Sequence, residues 1–125
     1  MTANPHRGEF QISLDRDYVL RADYEAVAAI DEQLGSIVDV ARRAIQEGSL
    51  SLKEMGVIVC EGIKAGERKR GNPHADSYTA RKCQELIFDK GITECLKPVL
   101  QFLVGALGGG VQPGNAAAAT EPPKE

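Results

Sequence analysis

The chain has 125 residues, of which 42% are apolar and 26% charged, with a formal charge of −3. These values suit one globular domain with a real but modest core. The net acidity argues against a protein that holds nucleic acid by neutralising phosphates, so nucleic acid is the least favoured partner. No apolar run approaches the roughly 18–20 residues that span a bilayer, and no signal peptide is read at the start, so no membrane partner is expected. Three cysteines without close pairing fit a reducing cytoplasm better than a disulfide framework.

Residues 1–9 are polar and contain Asn4-Pro5, which reads as an arm leading into the fold. Phe10, Ile12 and Leu14 then alternate with polar residues, and Tyr18, Leu20 and Ala22 alternate again after the turn Asp15-Arg16-Asp17. This period of two predicts a hairpin over 10–22. A lone hairpin is marginal in water, so its apolar face must rest on the helices that follow.

Asp23 can cap a helix over 24–34 that carries Val27, Ile30 and Leu34 on one stripe and stops at Gly35. Ser36 and Gly48 bracket a second helix over 37–47, with Ile37, Val40, Ala41, Ala44 and Ile45 inward. The third, over 52–65, opens with the capping box Ser51-x-x-Glu54 and the staple pair Leu50 and Met55, and Gly66 is its expected stop. Its apolar residues cover roughly 200° of arc, wider than one neighbour requires. It is therefore read as a central helix gripped from two sides, with Val57 the one apolar residue on its outer flank. Gly56 and Gly62 within that arc each cost about 1 kcal/mol relative to Ala. Either another backbone approaches closely there, or the glycines are tolerated without a role.

Residues 66–75 read as a loop marked by Gly71, Asn72 and Pro73. A fourth helix over 77–90 should turn Ala80, Cys83, Leu86 and Ile87 inward. The last, over 94–107, can be capped by Thr93, with a first turn before Pro98 or a start at Lys97 both feasible. Val99, Leu100, Phe102, Leu103, Val104, Ala106 and Leu107 make it apolar nearly all round. Burial is expected for Leu100, Leu103 and Leu107, which leaves Val99, Phe102, Val104 and Ala106 as candidate partner-binding residues. Beyond Gly108 the composition turns to Gly, Pro and Ala without periodicity, so 108–125 is expected to be a flexible tail. The fold class is α+β, mostly α: an N-terminal hairpin on about five helices, forming one domain over 10–107.

Residue types suited to chemistry are sparse. His6 and His74 both fall in expected loops, and no CxxC or HxxxH spacing joins them to Cys60, Cys83 or Cys95. Cys60 and Cys83 sit on predicted apolar faces, where free cysteine acts as a small hydrophobe. Neither a cofactor nor a metal is expected, and no enzymatic activity. The one notable charge feature is Arg68-Lys69-Arg70, read either as a solvated loop or as a docking site for an acidic protein surface.

The string Ala3-Asn4-Pro5-His6-Arg7-Gly8-Glu9-Phe10, followed by a short hairpin, resembles the start of a family of small tail proteins encoded by gene transfer agents and tailed phages. The similarity continues in Arg21, in Ile30-Asp31-Glu32-Gln33-Leu34-Gly35, in Leu50-Ser51-Leu52-Lys53-Glu54 and in a last helix ending in glycines, and covers about residues 3–110. The basic stretch 66–75 departs from the pattern. Members are described as tail assembly chaperones or as tail tube proteins. The resemblance implies a non-catalytic chaperone that coats the tape-measure protein and recruits tail tube subunits, and it brings no catalytic residues. A structural tail tube component and a small helical regulatory or nucleic-acid-associated protein are the alternatives. Self-association into a homo-oligomer is compatible with the first two, because an apolar terminal helix can be hidden in a like partner.

Overall fold

A computed structural model of the chain describes residues 8–108. The expected arm and tail lie outside these residues, apart from Gly8, Glu9 and Gly108 at their edges. The architecture is α+β and mostly helical. Strands β1 (Glu9–Ser13) and β2 (Asp17–Arg21) precede α1 (Tyr24–Leu34), α2 (Ile37–Glu47), α3 (Leu52–Lys69), a single 3-10 turn (Ala75–Ser77), α4 (Ala80–Lys90) and α5 (Ile92–Leu107).

The two strands pair antiparallel, with Glu9 opposite Arg21, Phe10 opposite Leu20 and Ile12 opposite Tyr18. Each strand begins one residue earlier than the alternation predicts, because polar pairs close both ends of the ladder. Arg21 Nη1 donates to Glu9 Oε2 at 2.9 Å at the open end, and Ser13 Oγ donates to Asp17 Oδ1 at 2.7 Å beside the turn. The alternation then puts Ile12, Tyr18 and Leu20 on one buried face.

Helix starts follow side-chain caps. Asp23 accepts from the Ala26 amide, Ser36 from Asp39 and Thr79 from Lys82. Ser51 and Glu54 form the full reciprocal capping box. Glu54 also takes a hydrogen bond from Arg43, which ties α2 to the first turn of α3.

The expected stop of α3 at Gly66 is corrected. The helix continues to Lys69 and ends where Gly71 (φ +81°) takes the left-handed conformation. The Asn72 amide donates to the Glu67 carbonyl at 3.0 Å and the Gly71 amide to that of Arg68 at 3.0 Å, the paired bonds of a Schellman ending. Gly66 serves contact instead. A Cβ there would overlap the Val19 carbonyl oxygen of β2, so the backbone of α3 lies directly on a strand. Gly56 plays the same part on another side, where a Cβ would stand 2.9 Å from the Ala80 carbonyl oxygen of α4 and overlap the Gln84 side chain. Gly62 sits beneath Leu20, with its Cβ position 3.1 Å from that side chain. Close backbone approach thus accounts for Gly56 and Gly66, and tight packing of the Leu20 and Phe102 side chains for Gly62.

Two further boundaries move. Residues 75–77 form a 3-10 turn, and α4 starts at Ala80 rather than near 77. α5 starts at Ile92 with Gly91 at its cap position, so Thr93 is no cap, and the helix runs through Pro98.

The core is built around α3, which packs on α4, β2, α1 and α5. Every α3 residue from Met55 to Ile63 is buried. Its two buried carboxylates have partners: Glu61 accepts from Gln33 Nε2 at 3.0 Å, and Glu67 from Asn72 Nδ2 at 2.7 Å.

Gly66→Ala is expected to destabilise the fold by about 2 kcal/mol, because strand displacement outweighs the helix-propensity gain of about 1 kcal/mol. Gly62→Ala meets the Leu20 and Phe102 side chains at 3.1–3.3 Å, a milder overlap than that with the Val19 carbonyl at Gly66, and should change stability less; urea unfolding of both variants measures the difference. Burial alone would raise the Glu54 carboxyl pKa, but hydrogen bonds from the Ser51 amide and from Arg43 overcome it and hold the net value below the ordinary range. A depressed folded pKa contributes stability that is present above the unfolded pKa and lost as pH falls through the folded one. The stability gap between wild type and Glu54→Gln should therefore be constant above about pH 5 and shrink below about pH 4 in urea titrations at stepped pH.

Candidate functional site

α5 buries a stripe of Cys95, Val99, Phe102 and Leu103, at helical spacing, against the core. This fixes the phase of the helix and corrects the expected one. Val99 and Phe102, expected on the partner-facing side, are wholly buried, and Leu107, expected inside, is 44% exposed. Leu103 is buried as expected, Leu100 and Ala106 are half-buried, and Val104 is 55% exposed. Val57, expected on an outer flank of α3, is buried at 5% exposure because α3 is enclosed all round at that level.

The basic cluster is also reassigned. Arg68 reaches Glu25 (Nε to Oε1, 3.1 Å), Asp23 (3.6 Å) and Asp76 (3.9 Å), so it clasps the start of α1 and the 3-10 turn to the end of α3. Its Nε and Nη2 are buried without an aligned hydrogen-bond acceptor, so the clasp is charge attraction more than directed bonding. Arg70 pairs with Glu67 at 3.3 Å. Lys69 is exposed and pairs with no carboxylate among the described residues. Two of the three cations are thus spent on carboxylates of the same fold, which argues against a free acidic-surface dock.

The three thiols are core residues. The Cys60 thiol donates to the Tyr78 carbonyl at 3.5 Å, and Cys83 is pushed up from its ordinary pKa by its hydrogen bond to Cys60 and by burial. Burial and the neighbouring Glu94 likewise raise Cys95. Cys60 moves the other way: the hydrogen bond from Cys83 lowers its pKa against the opposing effect of burial. Thiols held protonated, as Cys83 and Cys95 are, are poor nucleophiles, and Cys60 is buried in the core. Among the described residues, no group of three or more His, Cys, Asp or Glu is placed to hold a metal ion, and no helix is long and apolar enough to cross a membrane.

What α5 offers on its other side is a groove of about 670 Å³. Leu96, Leu100 and Val104 form one wall at spacing i, i+4, i+8, and Thr93, Lys97, Gln101 and Gly105 form the adjoining row. Phe10 of β1 completes it. The Phe10 ring stands edge-on to Phe102 at 6.5 Å between centroids, and it closes over Gly105, where a Cβ would lie 2.5 Å from its Cζ. From Pro98 to Leu107 the helix carries no charge, and Lys97 is the one ionic residue in the lining. Such a surface offers apolar area and one cation, with no acid–base pair and no nucleophile. Its chemistry is that of binding.

Of the sequence-derived candidates, Val104 lines this groove, and Ala106 lies half-buried beside the core. Phe10, Leu96, Lys97 and Leu100 were missed. The signal that finds them is the stripe running from Cys95 through Val99 to Phe102: with that side inward, Leu96, Leu100 and Val104 must face out. Another exposed apolar residue, Phe88, lies 67% exposed in a smaller depression edged by Arg81, Glu85 and Asp89. Its mixed charge makes it the poorer site for an apolar ligand. Comparison with family models, curated proteins and solved structures returns no match, so the reading of this surface rests on its own chemistry.

Proposed function

We propose that this protein is a non-catalytic tail assembly chaperone of a gene transfer agent or phage-like particle, which holds the tape-measure protein and helps recruit tail tube subunits around it. The observation that carries the binding role is the apolar, nearly uncharged groove along α5, walled by Leu96, Leu100 and Val104 and bordered by Phe10. The particular partner comes from the resemblance of the N-terminal and helix-entry strings, and a long, largely helical tape-measure chain is the kind of ligand a helix-length groove suits. Recognition of a helix by its apolar i, i+3/i+4, i+7 face needs a rigid groove of this kind and no chemistry. The body supplies rigidity: the groove's floor is α5 itself, anchored by Val99, Phe102 and Leu103, all fully buried.

Co-expression tests the reading. The wild-type chain should keep the tape-measure protein soluble and purify with it. Val104→Glu, a change at a residue 55% exposed, should leave stability within about 0.5 kcal/mol and reduce the co-purified tape-measure protein at least tenfold. A tape-measure protein whose solubility is indifferent to the wild-type chain would remove this reading.

A further inference from the structure

The seam between α3 and α4 holds two thiols that the binding surface does not use. α4 runs back along α3: the Cys60 thiol meets the Tyr78 carbonyl just before α4, Gly56 faces Ala80 and Gln84, and Leu52 shares a depression with Gln84, Glu85 and Phe88. On that register Cys83 lies level with the turn from Gly56 to Cys60. Gly56 leaves no room for a Cβ against the Ala80 carbonyl, so the two backbones are held close there. Each Cα–Cβ bond tilts towards the N-terminus of its own helix, which in an antiparallel pair carries the two sulfurs towards one another. They meet: Cys83 donates a hydrogen bond to the Cys60 sulfur, and the Cys60 thiol donates to the Tyr78 carbonyl at 3.5 Å. Both residues are buried, at 3% and 0% exposure. Cys95 lies on α5, where burial and Glu94 act on it and no second thiol does.

We propose that Cys60 and Cys83 are a redox pair that hydrogen peroxide closes into a disulfide, stapling the central helix to α4. Cys60 is the attacking sulfur, because the hydrogen bond from Cys83 and the charge of Lys64, one turn further along α3, both favour its thiolate. The thiolate takes one oxygen of the peroxide, the O–O bond breaks, and the departing hydroxide leaves as water with the proton that Cys60 gave up. The Cys83 sulfur then attacks the sulfenic sulfur of Cys60. The S–O bond breaks, and its hydroxide leaves as a second water with the Cys83 proton. Two thiols thus lose two electrons, and the peroxide gains them. Burial sets the pace, so the reaction is slow in the native chain and faster when α4 loosens from α3. The bond encloses residues 61–82, with the 3-10 turn and Arg68, and so restricts the unfolded chain across that stretch. It also takes the thiol proton from the Tyr78 carbonyl. The Tyr78 hydroxyl accepts from Arg16 Nη2 at 2.8 Å and its ring meets Tyr18 edge-on at 6.0 Å, so the change reaches the hairpin turn. This pair is independent of the chaperone reading.

The test exposes the full chain to hydrogen peroxide over a time course, with and without urea below the unfolding transition. The chain is then unfolded in guanidinium, its free thiols are alkylated, and its peptides are mapped by mass. Wild type should lose the mass of two hydrogens, keep one alkylatable thiol at Cys95, and yield a peptide pair joined through Cys60 and Cys83 that dithiothreitol separates. The oxidised chain should melt about 5 °C or more above the reduced one, and urea should speed its formation. Cys83→Ala should stop at a Cys60 sulfenic acid that dimedone traps, and Cys60→Ala should give no such adduct at Cys83. Where either variant folds poorly, the wild-type peptide map decides alone. Three alkylatable thiols throughout, oxidation to sulfinic acid without a cross-link, or a bond joining two chains would each overturn the inference. So would an oxidised chain that melts below the reduced one, since the native seam would then not admit the bond.

Discussion

Two backbones meet at Gly66, where α3 passes Val19 of β2 with no room for a Cβ. The consequences run outward from there. With β2 held against α3, the antiparallel register places Phe10 of β1 opposite Leu20. Phe10 then meets Phe102 on one side and Gly105 on the other, and it borders an open groove along α5. A glycine about forty residues away in sequence thereby helps to set the shape of the binding surface. Packed interiors transmit displacements of this kind because they contain little free volume to absorb them.

Much of the architecture was legible in the residues. The capping box at Ser51 and Glu54, the Asp23 and Ser36 caps, and the alternation in 10–22 each carry a local signal with a mechanism, and each led to the right kind of element. Gly66 shows where local reasoning fails. A glycine after an apolar stretch reads as a stop, and only the presence of β2 across from it shows that its role is close contact. The real stop, Gly71, lay in a stretch already read as loop.

The phase of α5 was the other failure, and it mattered more for the site. A helix that is apolar on nearly every side offers no polar face from which to fix its rotation. Leu100 and Leu107 looked as suited to the core as Val99 and Phe102. Tertiary packing decides: Phe102 fills the space over Gly62 and beside Phe10, and the rest of the helix turns accordingly. The basic run 68–70 misled for a related reason. The carboxylates that neutralise Arg68 come from Asp23 and Glu25, more than forty residues earlier, so no inspection of the run itself reveals them.

The surface left over is simple in character. The buried carboxylates have hydrogen-bond donors, the thiols are held in the core, and most of the basic run is engaged within the fold. The groove on α5 combines apolar walls with a single cation, so the central claim is that a partner helix is bound there. Methyl-resolved NMR of the full chain titrated with the tape-measure protein tests it most directly. The account predicts that the methyls of Leu96, Leu100 and Val104 shift or broaden first, while those of Val38 and Ile45, exposed on α2, stay in place. Perturbation centred on α2 with the α5 methyls unmoved would contradict it.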